Sequence, residues 1–303
     1  MNNFLIIGVG NLGERSIQAI QGDFLDANIF ISETNTSRAN YITKKYGVEV
    51  FSGQISIDEL DFVHISTTST GRQKIITDLN FGGSSLILVE KPTASNLSEL
   101  LQQASKKSNK NLFVNLPRRI FPINIYLKNY INCPFEIIVE MRNLNIFSNI
   151  SHFIDLSRFL GAKGDYSIEV NSLKEKKSKR QGYIDFSGTL KLLFQCGSSI
   201  YLIDENKTER SVLTLKNKDL FLQYDESQVE LKKCEGIDLD FDFDRINVAP
   251  YHSQLLSKVL KNYQSMKVCH LTSLKEVATD NINIFKFLHK YKGVGLDQDL
   301  LIS

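Results

Sequence analysis

An apolar run breaks into spaced glycines near the N-terminus: FLIIGVGNLG, residues 4–13. No other stretch constrains the fold as much. A short buried strand, a tight turn and a helix must follow one another directly, which is the start of a βαβ unit. The helix, NLGERSIQAIQG, is read as closed by Gly22. A second strand follows at NIFISE (28–33), then a helix, TSRANYITKKYG (36–47), stopped by Gly47. Strands VEVF (48–51), DFVHIST (61–67), SLILVE (85–90) and NLFVNL (111–116) continue the series. Helices RQKIITDLNFGG (72–83) and NLSELLQQASKKSN (96–109) alternate with them, the latter opening on a capping box from Asn96 to Glu99. Such alternation predicts a doubly wound parallel sheet covered on both faces.

The pattern then changes. Helices are expected at FPINIYLKNYI (121–131) and SNISHFIDLSRFLG (148–161). Between and after them come strand-like segments without intervening helices: 135–144, 166–173, 183–195, 198–206, 210–217 and 219–225. They predict one large, mostly antiparallel open sheet with one face on helices. Helices at 251–264 and 273–291 end the chain. The expected fold class is α/β: a dinucleotide-binding domain over 1–118, then an α+β domain over 119–303, divided near Pro117–Pro122.

Composition excludes several function classes. Of 303 residues, 23% are charged and 42% hydrophobic, and the net charge of +2 gives no reason to expect nucleic acid or an anionic membrane. The basic run KEKKSKR (174–180) reads as a solvated loop. No apolar run approaches the roughly 20 residues that span a bilayer. The N-terminus has neither the basic region nor the cleavage site of a signal peptide. The four cysteines, Cys133, Cys196, Cys234 and Cys269, are far apart in sequence and form no CxxC. They read as reduced thiols of a cytoplasmic protein. The five histidines lack metal-ligand spacing, so no protein-bound metal is expected.

Three stretches point to chemistry. In GVGNLG, Gly8 allows the turn, Gly10 lets the backbone approach a pyrophosphate, and Gly13 lets the helix pack on its strand. Asn11 and Leu12 then open the helix, whose free N–H groups favour phosphate. Glu33, at the end of the second strand, can accept hydrogen bonds from both hydroxyls of an adenosine ribose and would repel a 2′-phosphate. It favours NAD over NADP. Arg38 keeps NADP open, and an N-capping role for Thr34 or Thr36 is the competing reading of this stretch. In LVEKPTA (88–94), a strand ends in Glu90, Lys91 and Pro92 at the sheet edge where ligands bind. A half-buried lysine there can move a proton. Lastly, His152 and Asp155 lie three apart on one helix face. Alone they read either as a proton-transfer histidine with its neighbour or as a histidine merely packed there. Asp155 is also placed to pair with Arg158.

Together these motifs make the chain resemble the Gfo/Idh/MocA family of nicotinamide-dependent oxidoreductases over nearly its whole length. GVGNLG, the EKP of HISTTSTGRQKIITDLNFGGSSLILVEKPTA, VNLPRRIFP, SNISHFIDLSRFLGAK and SGTLKLLFQCGSSIYLID carry the resemblance. It implies an enzyme that interconverts a hydroxyl and a ketone on a sugar or sugar nucleotide, and Arg72, Arg118 and Arg119 favour a phosphorylated or acidic sugar, such as an intermediate of surface-polysaccharide synthesis. It implies catalytic roles for Lys91 and His152. It places Ser66, Thr67 and Thr68, with Glu90, beside the cofactor, and Arg118 and Arg119 on the substrate side. Two departures stand out. Many members carry an aspartate four residues before the histidine; here Ser148 stands there, followed by Asn149, and either can hydrogen-bond a substrate. Arg72 stands where a histidine is common, and an arginine there can take a phosphate or carboxylate. An inositol or free-aldose dehydrogenase, and a cofactor-binding sensor with weak catalysis, are the alternatives. The open sheet predicts a homodimer or homotetramer.

Overall fold

The computed structural model describes residues 2–53, 56–78, 85–105, 111–205, 211–226, 230–236 and 252–302. The chain forms two compact units. One comprises Met1–Asn115, Tyr251–Thr279 and Asp297–Asp299; the other comprises Leu116–Pro250, Asp280–Leu296 and Leu300–Ser303. The division differs from the expected 1–118 and 119–303, because the chain returns to the first unit near its end.

In the first unit, β1 (Asn3–Ile7), α1 (Asn11–Asp23), β2 (Asn28–Ser32), α2 (Thr36–Tyr46), β3 (Glu49–Val50), β4 (Phe62–Ile65), α3 (Arg72–Asp78), β5 (Leu86–Val89), α4 (Leu97–Ser105) and β6 (Leu112–Val114) alternate. The six strands are all parallel, in the order β3-β2-β1-β4-β5-β6. This is a doubly wound sheet. Its central strands are apolar without alternation because both faces are covered: Phe4, Ile6, Val63, Ile65, Ile87 and Val89 are all fully buried. The order reverses between β1 and β4, the point at which doubly wound sheets bind their ligands.

Local signals set the helix ends. Gly47 stops α2 in the left-handed region, at φ 66°. Gly22 does not close α1, which runs on to Asp23. Asn96 caps α4 through the Glu99 N–H, but the Glu99 carboxylate reaches back to Ser95, not to Asn96. The expected ends of the third and fourth helices, 79–83 and 106–109, lie outside the described residues.

In the second unit come α5 (Pro122–Leu127), β7 (Glu136–Met141), α6 (Ile146–Leu160), β8 (Tyr166–Lys177), β9 (Ile184–Phe194), β10 (Ser199–Asp204), β11 (Ser211–Lys216), β12 (Phe221–Asp225) and β13 (Glu230–Glu235). The sheet order is β13-β12-β11-β7-β10-β9-β8; only β7 and β10 pair in parallel. The alternation here is of the one-face-covered kind. Ile137 and Val139 of β7, Leu190 and Leu192 of β9, and Ile200 and Leu202 of β10 turn inward. Helix α7 (His252–Met266) belongs to the first unit, and α8 (Leu274–Lys292) begins in the first unit and passes into the second at Asp280. Phe287 of α8 stacks on Phe147 of α6, so α6 has the sheet on one side and α8 on another, which explains why it is buried nearly all round.

Two expectations need correction. Lys174–Lys177 are not a loop. They extend β8 at the sheet edge, where exposed lysines discourage pairing with another chain. The helix expected over 121–131 is the single turn and a half of α5, preceded by a 3-10 turn at Pro117–Ile120.

Candidate cofactor and catalytic site

Gly8 has φ 84°, and a Cβ on it would lie 2.9 Å from the Thr67 nitrogen. A Cβ on Gly13 would lie only 2.2 Å from the Gly8 carbonyl oxygen. The strand, the turn and the first turn of α1 thus pack backbone against backbone. Gly10 caps α1, and a Cβ there would meet nothing within 4 Å. Asn11 and Leu12 follow, so the helix N-terminus opens into unfilled space. Ser66 donates to the Gly8 carbonyl at 2.5 Å and ties the loop after β4 to the glycines. Thr67 Oγ1 is buried beside this cradle with no hydrogen-bond partner, and Thr68 follows it half-buried. Amides that favour an anion, space at Gly10 and a waiting hydroxyl fit a dinucleotide.

Glu33 and Arg38 bracket one peptide of this loop. The Val9 N–H donates to Glu33 Oε2 at 2.9 Å, and Arg38 Nε donates to the Val9 carbonyl at 2.7 Å. Glu33 Oε1 also accepts the Asn35 N–H, and Asn35, rather than Thr34 or Thr36, caps α2. The Arg38 guanidinium pairs with Glu14 at 2.6 Å. Lys45 and Tyr46 also donate to Glu14, and with Arg38 they bring its carboxyl down to about 2. A cation already paired in this way is a poor receptor for a 2′-phosphate, whereas the half-exposed Glu33 keeps acceptor capacity.

Arg72 is the main correction at the site. It is 2% exposed, and its guanidinium donates to the carbonyls of Thr67, Glu90 and Pro92. It cannot reach a substrate anion. Instead it grips the backbone on both sides of Lys91 and joins it to the loop after β4. Glu90 is likewise buried. Its Oε1 accepts the Asn115 amide at 2.6 Å and lies 3.1 Å from His64 Nε2, while His64 Nδ1 lies 2.9 Å from Ser16 Oγ. This buried network runs from α1 through β4 to the ends of β5 and β6. Lys91 stands half-buried at its rim.

In the second unit, His152 lies on α6, 9% exposed. Ser148, one turn earlier, donates to Asp185 Oδ1 of β9 at 2.9 Å. A carboxylate therefore reaches the position before the histidine from another strand. No spacing rule links 148 to 185, and sequence reading missed it. The Asn149 amide turns back to the Leu144 carbonyl. Asp155 pairs with Arg119 at 3.1 Å and not with Arg158, which pairs with Asp280 at 2.9 Å. Arg118 makes a two-pronged pair with Glu226, at 2.8 and 2.6 Å, and lies 4.4 Å over the Phe153 ring. Both arginines expected on the substrate side are thus paired with carboxylates of their own unit. Among the described residues, no group of three or more His, Cys, Asp or Glu side chains is arranged to hold a metal. Nor is any described helix long and apolar enough to cross a membrane.

A parallel sheet with a glycine cradle at its first crossover, open helix amides and an acid just past the second strand defines a dinucleotide-binding domain. Residues 2–116 match the GFO_IDH_MocA model, the oxidoreductase family with an NAD-binding Rossmann fold, and the N-terminal domain belongs to that family. The fold of the chain is similar to that of the WlbA dehydrogenase from Chromobacterium violaceum in complex with NADH and UDP-GlcNAcA (TM-score 0.70, 14% identity, 98% of this chain and 97% of that one). It is similar to a myo-inositol dehydrogenase from Corynebacterium glutamicum (0.65, 14%, 97% and 98%). It is also similar to the UDP-N-acetylglucosamine 3-dehydrogenase GnnA from Acidithiobacillus ferrooxidans (0.64, 15%, 93% and 97%). At such identities the likeness is one of fold. Among curated proteins, none matches the chain in sequence.

Proposed function

We propose that the protein is an NAD-dependent oxidoreductase that interconverts a hydroxyl and a ketone on a sugar or sugar nucleotide. The observation that carries this reading is the fixed placement of Lys91. Arg72 clamps the carbonyls on either side of it, at the edge of the sheet whose glycine cradle fits a dinucleotide. The sugar-nucleotide class is supported by the names of two of the similar structures.

When bound, the nicotinamide supplies the hydride acceptor. The chain's own groups do the rest. Gly8, Gly10, Gly13, Asn11 and Leu12 seat the pyrophosphate, and Glu33 accepts from the adenosine ribose. Ser66, Thr67 and Thr68 flank the cofactor. The His152 imidazole takes the proton of the substrate hydroxyl, and Lys91 Nζ stabilises the charge that develops on that oxygen. Asp185, through Ser148, supplies the negative charge that orients and supports His152. Ketone reduction uses the same groups in reverse.

Titration with NADH and NADPH, followed by cofactor fluorescence, tests the cofactor reading; tight NADH and weak NADPH binding is expected. A turnover screen over UDP-sugars then tests the chemistry. Lys91→Ala and His152→Ala are each expected to lower kcat by at least about a hundredfold with NADH binding retained. If both variants keep full turnover, the hydride-transfer assignment falls. The second reading, a sensor with weak catalysis, is motivated by Ser148 in place of an acid. NADH binding without turnover of any sugar would favour it.

A further inference from the structure

Outside the candidate site, two cysteines 63 positions apart in sequence meet at the sheet of the second unit. β7 and β10 run parallel with Glu136 opposite Ser199. Cys133 lies three residues before Glu136 and Cys196 three before Ser199, in the segments that enter these two strands. The two segments stay in contact ahead of the strands. The Ser199 N–H donates to the Phe135 carbonyl at 2.9 Å, and the Phe135 N–H donates to Ser198 Oγ at 3.1 Å. A Cβ on Gly197 would lie 3.3 Å from Pro134 Cβ. Each thiol is near enough to the other to shift its acidity, and both are influenced by the Ser198 hydroxyl. A disulfide spans roughly 4.4–6.8 Å between Cα atoms, and each cysteine adjoins one of the touching residues Pro134 and Gly197.

The two thiols differ in what surrounds them. Cys196 Sγ accepts the Lys163 N–H at 3.3 Å and lies 3.4 Å from Ser198 Oγ. Burial pushes its acidity the wrong way, but the Lys163 N–H, the Ser198 hydroxyl and N–H, and the Cys133 thiol outweigh it and bring the group down to about 7. For Cys133, burial and the neighbouring Cys196 push the thiol up against the pull of Ser198. The Cys133 S–H donates to the Gly161 carbonyl, 3.0 Å away. Cys133 is exposed and Cys196 half-buried, so a small oxidant can reach the pair.

We propose that Cys133 and Cys196 are a redox-active dithiol, oxidised by peroxide to an intramolecular disulfide, with Cys196 as the attacking and Cys133 as the resolving thiol. The Cys196 thiolate attacks hydrogen peroxide. The S–O bond forms, the O–O bond breaks, and hydroxide leaves with the electron pair. Cys133 then attacks the sulfenic sulfur as its thiolate. The S–S bond forms, the S–O bond breaks, and the second hydroxide leaves; with the protons of the two thiols the products are two waters. The disulfide staples the turn between β9 and β10 to the segment entering β7. It also removes the S–H donor from the Gly161 carbonyl, which caps α6, the helix of His152. The inference stands independently of the sugar chemistry.

The test treats the full chain at pH 7 with one equivalent of hydrogen peroxide. Titratable thiols are expected to fall from the four of the sequence to two. The mass should drop by two hydrogens, and peptide mapping should join Cys133 to Cys196. The oxidation rate should be half-maximal near pH 7. In Cys133→Ser a sulfenic acid should persist on Cys196 and be trapped by dimedone. In Cys196→Ser, oxidation at Cys133 should slow about tenfold or more, because an ordinary thiol is only a few per cent thiolate at pH 7. A wild-type map without the 133–196 link, or equal oxidation of all four cysteines, overturns the proposal, and that outcome needs no variant to fold.

Discussion

A methyl group at position 13 would gain helix propensity of about 1 kcal/mol over glycine. It would also sit 2.2 Å from a backbone oxygen, that of Gly8, which is itself tied to Ser66. Neither backbone can retreat, so the clash dominates, at a cost of about 2 kcal/mol or more. Gly13→Ala is therefore expected to lower the Tm and to weaken NADH binding more than tenfold, by thermal unfolding and cofactor titration; unchanged affinity would refute the cradle. Nearby, Glu14 makes a pH-dependent contribution. Its folded pKa, about 2, lies below the ordinary value of 4.5. Its stabilisation is thus complete above pH 4.5 and fades as pH falls towards 2. Glu14→Gln should be less stable than the parent at pH 6, and the gap should close in acid denaturation between about pH 4.5 and 2. The glycines were legible because their role lies in spacing along the chain. Arg72 was not. Only its burial beneath Thr67, Glu90 and Pro92 turns an apparent anion receptor into the clamp of Lys91.

The same contrast holds for elements. The strands of both sheets, except β13, could be read from apolar runs in the first unit and from alternation in the second, because these patterns report how many faces are covered. Strand β8 was cut short in reading because Lys174–Lys177 look like a loop by composition, whereas at a sheet edge charge is tolerated. Helix α6 shows what pattern cannot reach. Position 148 holds serine, and the acid that meets it, Asp185, comes from β9 across the packing interface. A carboxylate held there does not depend on which element supplies it. Asp185→Ala should lower kcat about tenfold, equivalent to roughly 1.4 kcal/mol of lost transition-state stabilisation, with NADH affinity unchanged. The exchange Ser148→Asp with Asp185→Ser moves the acid back onto the helix and should recover most of the activity. Failure of the exchange, with Asp185→Ala inactive and folded, would make Asp185 a packing residue only.

At the scale of the whole chain, the boundary near Pro117 was legible as a change of pattern, but the return of α7 was not. An amphipathic helix announces an apolar face without naming the surface that covers it. Here that surface is α1 and its surroundings. Leu255, Leu256, Val259, Leu260 and Tyr263 are buried, Ser257 donates to the Ala19 carbonyl at 3.2 Å, and Lys261 pairs with Asp23. The segment after α7 also joins the unit, with Thr272 accepting the Val114 N–H at 2.9 Å. Burying five large apolar side chains is worth on the order of 10 kcal/mol as an upper estimate. The whole stability of a domain is about 5–15 kcal/mol. The magnitudes decide the outcome of truncation. A fragment of residues 1–118 keeps every strand of the parallel sheet but loses stabilisation comparable to its total. It is expected to show no cooperative urea transition and no NADH binding. Joining residue 115 through a flexible linker to residues 252–279 restores α7 and should restore both. A fragment 1–118 that melts cooperatively and binds NADH would show that the glycine cradle and its sheet stand without the returning helix.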